Sequence, residues 1–526
     1  MNFNDETHLA DGKLLLPIYN IPKGRQNLVR DGAYFTYDAG YFNSPSTTTG
    51  TFDVPASQYL PGYVKAGFEL PQIKPLAPRL PEDINNTDIL IPLANSTPRA
   101  NLDRMEAFLI WFSLYRKLFA LILILNCAGL LAVTQKRFGY AKHNTFTFAL
   151  GNLLVSILSR NEFGLRILYW LTVRTLFWTP VRIRNLVTAL FVNLGGVHSG
   201  CATAGLLWTC YAAYMAFRSH IYPRAILSFA ILTPIALSIS IAVALPYVRH
   251  AHHNIFEKFH RFVGWLGLAY LWILVVLLQT YDPAQHRYRP SNVKWATKQE
   301  FWMTLFISAM IVSPWLTLQK IPVKVSAPSS KIAFLSFPGG CYTGLLGRLS
   351  RSPWLEWHAF GIISEGPLAF THHMLVVAQG DWTRALISDP PSHIWTRGLK
   401  FAGLPYLAEM YDRGVIVATG AGIGVTLSVY LQTKGHFHLI WIGSDMDNTY
   451  GPDIMALLRK AVKGDRMTLV DTKKIGRPDT VQLIDNVYRK INAQVVFITS
   501  NPKGTELMVN GCRERGMTAF GPLFDS

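Results

Sequence analysis

The chain has 526 residues, with 50 Lys and Arg against 32 Asp and Glu, a formal net charge of +18. Charged residues make up only 16% and hydrophobic ones 50%, and mean hydropathy is +0.20. These values exclude a disordered chain, a collagen-like chain and a small disulfide scaffold, and they point to a chain partly placed in lipid.

The five cysteines, Cys127, Cys201, Cys210, Cys341 and Cys512, show no paired spacing. That argues against a disulfide framework or a zinc site. The first residues lack the cationic head and apolar run of a signal peptide, so any membrane insertion is expected to use internal segments. No nucleic-acid motif accompanies the positive charge. Anionic lipid and cofactor phosphates are the expected partners, not nucleic acid.

Residues 1–106, rich in Pro, Tyr, Gly, Asn and Asp, read as a loop-like tail with N-x-S/T sequons at Asn85 and Asn95. Apolar runs follow at 118–133, 145–158, 186–217, 225–248, 259–278 and 301–318. Spanning takes about 20 residues, and six such runs in succession predict a polytopic helical membrane domain over 107–320. Segment 160–184 reads as a basic loop, with Arg160, Arg166, Arg174, Arg182 and Arg184 against Glu162. With the basic 249–261 connection, it sets the expected orientation: an integral, multi-pass protein with both termini and the cofactor domains cytoplasmic. A β module over 325–408 and an α/β module over 409–526 complete the predicted fold, a common cofactor-binding arrangement.

Within the α/β module, the strand at 414–418 leads into a Gly-rich turn and a helix start. Gly420, Gly422 and Gly424 would let the backbone approach a pyrophosphate at the helix N-terminus; an ordinary tight turn is the plainer alternative. Asp445, ending the next strand beside Ser444, stands where an acidic group often binds ribose hydroxyls, which leans towards NADH. It would equally serve as a cap for the following turn. Residues 356–364 and the Gly380-Asp381-Trp382-Thr383 run read by pattern alone as aromatic-rich β segment, which core packing would explain. His198, inside the third apolar run, and His260, opening the fifth, are ionisable groups at apparent membrane depth. Facing imidazoles would suit the axial ligands of a haem, although His260, near His250, His252 and His253, also reads as interfacial.

Taken in order, these motifs resemble the ferric reductase and NADPH oxidase superfamily over about three-quarters of the chain, and the fungal TmpA-like integral membrane flavoproteins most nearly. The matching features are Arg160-Asn161, the segment from Glu356 to Ser364, Gly380-Asp381-Trp382-Thr383, and the Gly420 to Thr426 loop.

The resemblance implies a ferredoxin-reductase-like β-barrel FAD module, with His358, Phe360, Ser364, Gly380, Asp381, Trp382 and Thr383 holding FAD. It implies NADH or NADPH on Gly420, Gly422, Gly424, Thr426 and Asp445, with Ser500 near the nicotinamide and Phe524 covering the flavin. It further implies one haem b on His198 and His260. Hydride would pass from NAD(P)H to FAD, and electrons on to that haem or to an unidentified acceptor at the cytoplasmic face or in lipid. The alternative is a catalytically weakened redox or nucleotide sensor.

Several positions depart from the pattern. Ala359 and Gly361 replace its Pro and Thr, Val377 its Arg, and Ser444 an Arg associated with NADPH; Ser500 begins Ser-Asn-Pro where Cys-Gly-Pro is expected. No histidine stands one haem further along, at Tyr211, Ala212, Ile273 or Leu274, so no second haem is expected.

Overall fold

A computed structural model describes residues 91–93, 104–354, 356–461 and 466–523. Both sequons, most of the N-terminal tail and Phe524 lie outside the described residues.

The helical part comprises α1 (Leu114–Thr134), α2 (Thr145–Leu158), α3 (Glu162–Leu176), α4 (Val181–Val192), α5 (Leu194–Ser219), α6 (Arg224–Val243), α7 (His253–Thr280) and α8 (Gln299–Val312), with shorter turns between. A half-buried polar knot ties three of them. Trp208 of α5 stacks on Phe148 of α2 at 4.8 Å and donates Nε1–H to Asn126 Oδ1 of α1, which also accepts from Asn152 of α2. Polar groups placed in an apolar bundle must find partners, and here they fix the order of the helices.

The six predicted spans are not reproduced. Among the described residues, four helices, 114–134, 224–243, 255–280 and 299–317, are long and apolar enough to cross a membrane, by length and composition. The third run breaks at Asn193 into α4 and α5, bent by 49°, and counts as a fifth only if the pair is one span. α2 has 14 residues, about 21 Å at 1.5 Å per residue, against a hydrocarbon layer of about 30 Å.

The basic segment 160–184 is also not a loop. It forms α3 and the start of α4, and two of its five arginines turn inward: Arg166 donates to the Lys400 carbonyl at 2.5 Å, and buried Arg184 to that of Met410, while Arg160, Arg174 and Arg182 stay exposed. Charge counting treated the guanidiniums of Arg166 and Arg184 as solvated, whereas they dock helices onto the sheets.

The antiparallel sheet is built from β1 (Leu318–Pro322), β2 (Lys324–Ser329), β3 (Ile332–Pro338), β4 (Leu345–Ser350), β5 (His358–Ile363), β6 (Thr371–Val377), β7 (His393–Arg397) and β8 (Phe401–Ala402). Its order is β1-β7-β4-β5-β6-β3-β2, with β8 on β4. The apolar runs at 332–337 and 374–376 are buried core. The Gly380 segment departs from its β reading: Gly380 caps α9 (Asp381–Ser388), and the Thr383 hydroxyl accepts from the Gly380 and Gln379 amides, each at 3.0 Å. Local capping chemistry overrides aromatic content there.

His372 on β6 is 5% exposed and stacks on Phe337. Its Nδ1–H donates to the Gly339 carbonyl at 2.6 Å, while Nε2 has no hydrogen-bond partner among the described residues. Burial, aided by the Lys400 and His373 charges, holds its pKa down at about 4 from 6.5. The folded value lies below the unfolded one, so the unfolded chain takes up the proton first as pH falls. Its contribution is therefore complete above about pH 6.5 and is lost towards pH 4, at a cost of roughly 3 kcal/mol. Melting curves between pH 4 and 7 should show this slope, and His372→Phe should flatten it.

The α/β module runs β9 (Arg413–Thr419), α10 (Ile423–Gln432), β10 (His436–Gly443), α11 (Met446–Ala461), β11 (Met467–Asp471), α12 (Thr480–Lys490), β12 (Val495–Thr499), α13 (Pro502–Glu514) and β13 (Ala519–Phe520). All its strands are parallel, in the order β11-β10-β9-β12-β13. Residues 415–418 and 495–498 are buried throughout, as expected of central parallel strands covered on both faces. The cofactor half of the predicted fold thus stands, an antiparallel β module followed by a parallel α/β module.

Candidate nucleotide and flavin site

The Gly-rich turn lies at the carboxyl edge of the parallel sheet, the crevice where such sheets bind ligands. β9 ends at Thr419, Gly420 takes φ +55°, and a short turn over Gly420–Gly422 opens α10. A Cβ at Gly422 would stand 2.4 Å from the Thr499 carbonyl oxygen at the end of β12. The turn is therefore pressed against the neighbouring strand, leaving its outer side and the first amides of α10 for a phosphate. Trp441 Nε1–H donates to the Gly420 carbonyl at 2.8 Å and holds the turn from β10. Ser500, just past β12, lies beside it, its hydroxyl 2.5 Å from that of Thr419. Thr419 and Trp441 were missed in the sequence because one reads as strand end and the other as core.

Two expected nucleotide ligands have other duties. Thr426 is buried and bonds back to the Gly422 carbonyl at 3.3 Å, inside α10. Asp445, at φ +50°, accepts from Lys473 at 2.7 Å and Asn448 at 2.8 Å, while Asp471 accepts its backbone N–H. Those hydrogen bonds, led by Lys473, hold the half-buried Asp445 carboxyl below its usual range. With Lys474 also close by, paired to Asp447 at 3.6 Å, the acidic corner that favoured NADH is balanced by two ammonium groups. Asp445→Ala should free Lys473 and move the NADPH-to-NADH affinity ratio upward about tenfold, read by titrating both nucleotides.

The flavin candidates divide by strand alternation. His358 and Phe360 share one face of β5 and meet Trp382 from α9, with ring centroids 4.3 and 6.0 Å apart. Trp382 Nε1 is buried without a hydrogen-bond partner among the described residues, and His358 Nε2 makes no hydrogen bond there, with only the Glu356 carboxylate nearby at 3.7 Å. Polar atoms so placed on an aromatic slab fit a heteroaromatic group such as flavin.

Gly361 faces the other way. A Cβ there would stand 2.4 Å from Val425 Cα at the start of α10. The missing Thr is thus the condition for the two modules to touch, rather than an eroded flavin contact. Ser364 is not part of the cluster: it is buried, accepts from the Cys341 amide and donates to the Gly366 carbonyl, each at 3.0 Å. Gly380 and Thr383 form the α9 cap, and Asp381 is exposed, paired with Arg384 at 3.2 Å.

His198 and His260 are brought together, with ring centroids 6.4 Å apart and planes at 66°. Each Nδ1 is held the same way. His198 donates to the Ser156 carbonyl at 2.9 Å and His260 to that of Ser240 at 3.0 Å, with the two serine hydroxyls at 3.1 Å. A carbonyl acceptor places the proton on Nδ1 and leaves the Nε2 lone pair free. Both rings line a cavity of about 380 Å³ with Arg160, Trp265, Trp315 and Trp357. Among the described residues no third His, Cys, Asp or Glu joins them to complete a set for a bare metal ion. Ser156 and Ser240 carried no sequence signal, since their role depends on carbonyls in the last turns of α2 and α6 that are free to accept.

The family description "Adenylate-forming reductase 03009, C-terminal domain" matches residues 404–526. Two curated proteins of Coprinopsis cinerea are similar over most of the chain. Adenylate-forming reductase 03009 is 30% identical over 427 residues, and adenylate-forming reductase 06235 is 29% identical over 422. Each alignment takes in 79% of this chain and 40% of the relative, so the chain spans about 40% of the length of these relatives. Among solved structures, the ferredoxin reductase in carbazole 1,9a-dioxygenase aligns with 39% of this chain and 70% of its own, at 12% identity and TM-score 0.31.

These matches overturn the resemblance to the ferric reductase and NADPH oxidase superfamily, TmpA-like proteins included, and with it the scheme of electron flow to an inner haem and the sensor alternative. The physical reason is that the motifs behind it are local. A Gly-rich turn and a capped Gly-Asp-Trp-Thr helix start follow from how a backbone meets phosphates and closes helices, so they recur among reductases of different families.

Proposed function

We propose that this chain is an oxidoreductase module that supplies the reducing step in a protein related to the adenylate-forming reductases. A nicotinamide nucleotide docks on the turn at 420–424, and a flavin lies against His358, Phe360 and Trp382. The observation that carries the reading is the Gly420 turn, pressed on Thr499 and flanked by Thr419 and Ser500 at the carboxyl edge of the sheet. When bound, the flavin accepts a hydride from the nucleotide. The protein fixes the turn through Trp441 and offers the paired Thr419 and Ser500 hydroxyls near the nicotinamide end. From the relatives' name, the acceptor class we assign is an activated carboxylate, whose two-electron reduction at the carbonyl carbon expels the adenylate. Anaerobic mixing of flavin-loaded protein with NADH or NADPH tests the hydride step. Bleaching of the oxidised flavin band is expected, and neither bleaching nor nucleotide binding would defeat the reading.

A second reading concerns His198 and His260, which we infer hold one planar metal cofactor of the haem class between their Nε2 atoms. The support is the pair itself: each Nδ1–H is held on a serine carbonyl, so each Nε2 would be free to ligate, and the rings stand 6.4 Å apart at the same cavity. The absorption spectrum of the purified protein decides it: a Soret band lost in His198→Ala supports the pair as ligands, and no band dismisses it. Exposed apolar side chains on α1 and α6, such as Ile124, Leu125 and Ile235, support placing these helices in a bilayer.

A further inference from the structure

A second cavity, of about 420 Å³, lies among α2, α5, α6, α7 and α8. It is reached along α5 and α7 at Thr209 and Leu274, roughly 16 and 21 Å beyond His198 and His260 at 1.5 Å per residue. It is therefore separate from the histidine cavity and from the nucleotide turn. Its size falls in the range of small-molecule sites, about 300–1,000 Å³.

Its lining combines apolar Phe146, Ile226, Ala230 and Leu274 with polar Gln279 and Glu300. The Glu300 carboxylate is fixed from both sides. Oε1 accepts from the Thr147 hydroxyl at 2.6 Å and Oε2 from the Gln279 amide at 3.2 Å. Each oxygen keeps a second lone pair. No Lys, Arg or His lies within ion-pair distance of Glu300 among the described residues; Lys142 and His143 also line the cavity and are exposed. Glu300 is half-buried, and a cation entering the cavity would find its two oriented oxygens as an anionic partner. A first-turn acid on α8 would gain from the helix dipole, but that alone explains neither the cavity nor the two orienting hydrogen bonds from other helices.

We propose that this cavity binds a small organic amine, its ammonium group on Glu300 and its apolar body against Phe146, Ile226 and Leu274. The test is calorimetric titration of the purified 526-residue chain with phenethylamine, phenethyl alcohol and hydrocinnamate, which share a body and differ in charge. Saturable binding of the amine, at least about tenfold tighter than the alcohol or the acid, is expected. Glu300→Gln should weaken the amine by at least about tenfold and leave the alcohol unchanged. Ala212→Phe, which fills the cavity, should abolish both. Unchanged melting and nucleotide binding would show that the variants are folded, and Glu300→Gln keeps the test alive if Ala212→Phe does not fold. No amine binding, no preference for the amine, or full affinity in Glu300→Gln would each overturn the site. The assay does not depend on nucleotide or flavin chemistry.

Discussion

Gly422→Val is expected to lower the affinity for NADH and NADPH by about a hundredfold and to abolish flavin reduction by either. The Cβ would stand 2.4 Å from the Thr499 carbonyl oxygen and 3.1 Å from its carbon. The obstacle is backbone in a central strand, held by the β9 ladder, so the turn must move and the strand stays. Overpacking of this kind costs about 1–3 kcal/mol, and 3 kcal/mol is a little over a hundredfold in affinity. The displacement falls on the amides that would receive the phosphate, so binding suffers more than stability. Gly264→Ala is the control. Nothing lies within 4 Å of the added Cβ, and α7 belongs to the helical part, so nucleotide binding should be unaltered. Equal affinities for Gly422→Val and the parent chain would remove the turn from the nucleotide site.

Glu162→Gln should destabilise the seam between helices and sheet by about 3–5 kcal/mol. Glu162 is 5% exposed in the first turn of α3, and its Oε1 accepts from Arg348 of β4 and, at 2.8 Å, from Arg397 of β7. Asn161 beside it caps α3 through the Gly164 amide and donates to the Met310 carbonyl of α8 at 2.6 Å. Arg397 also lies over Trp357 and Trp315, at 4.9 and 5.6 Å. Neutralising the carboxylate leaves two guanidiniums in a half-buried seam without an anion. Removing one partner is costlier than never having the pair, so Glu162→Gln combined with Arg397→Gln should recover part of the loss. Denaturant melts should show an earlier transition in the single variant, while nucleotide affinity, set on the far sheet, should hold. An unchanged melt would mean that water already screens the cluster.

What the sequence determined by itself was whatever depends on near neighbours in the chain. The strand, Gly-rich turn and helix at 414–432 are local geometry, and so is the alternation of strand and helix that follows. Buried runs such as 415–418 and 495–498 read directly as central parallel strands because both faces need apolar cover. The pairing of His198 with His260 was legible as well, since ionisable groups in apolar runs are few.

Tertiary structure decided everything that depends on which surfaces meet. Only the packing of α10 on β5 explains Gly361 as a contact requirement. Only the approach of Lys473 and Lys474 balances the charge of the acidic corner at Asp445. Arg166 and Arg184 looked like part of a solvated loop until helices α3 and α4 turned them onto the Lys400 and Met410 carbonyls beside the sheets. Ser364 and Thr426 fitted a motif, but folding gave their hydroxyls to backbone partners. A side chain's chemistry is written in its residue type, but what that chemistry acts on depends on contacts brought together from distant parts of the chain.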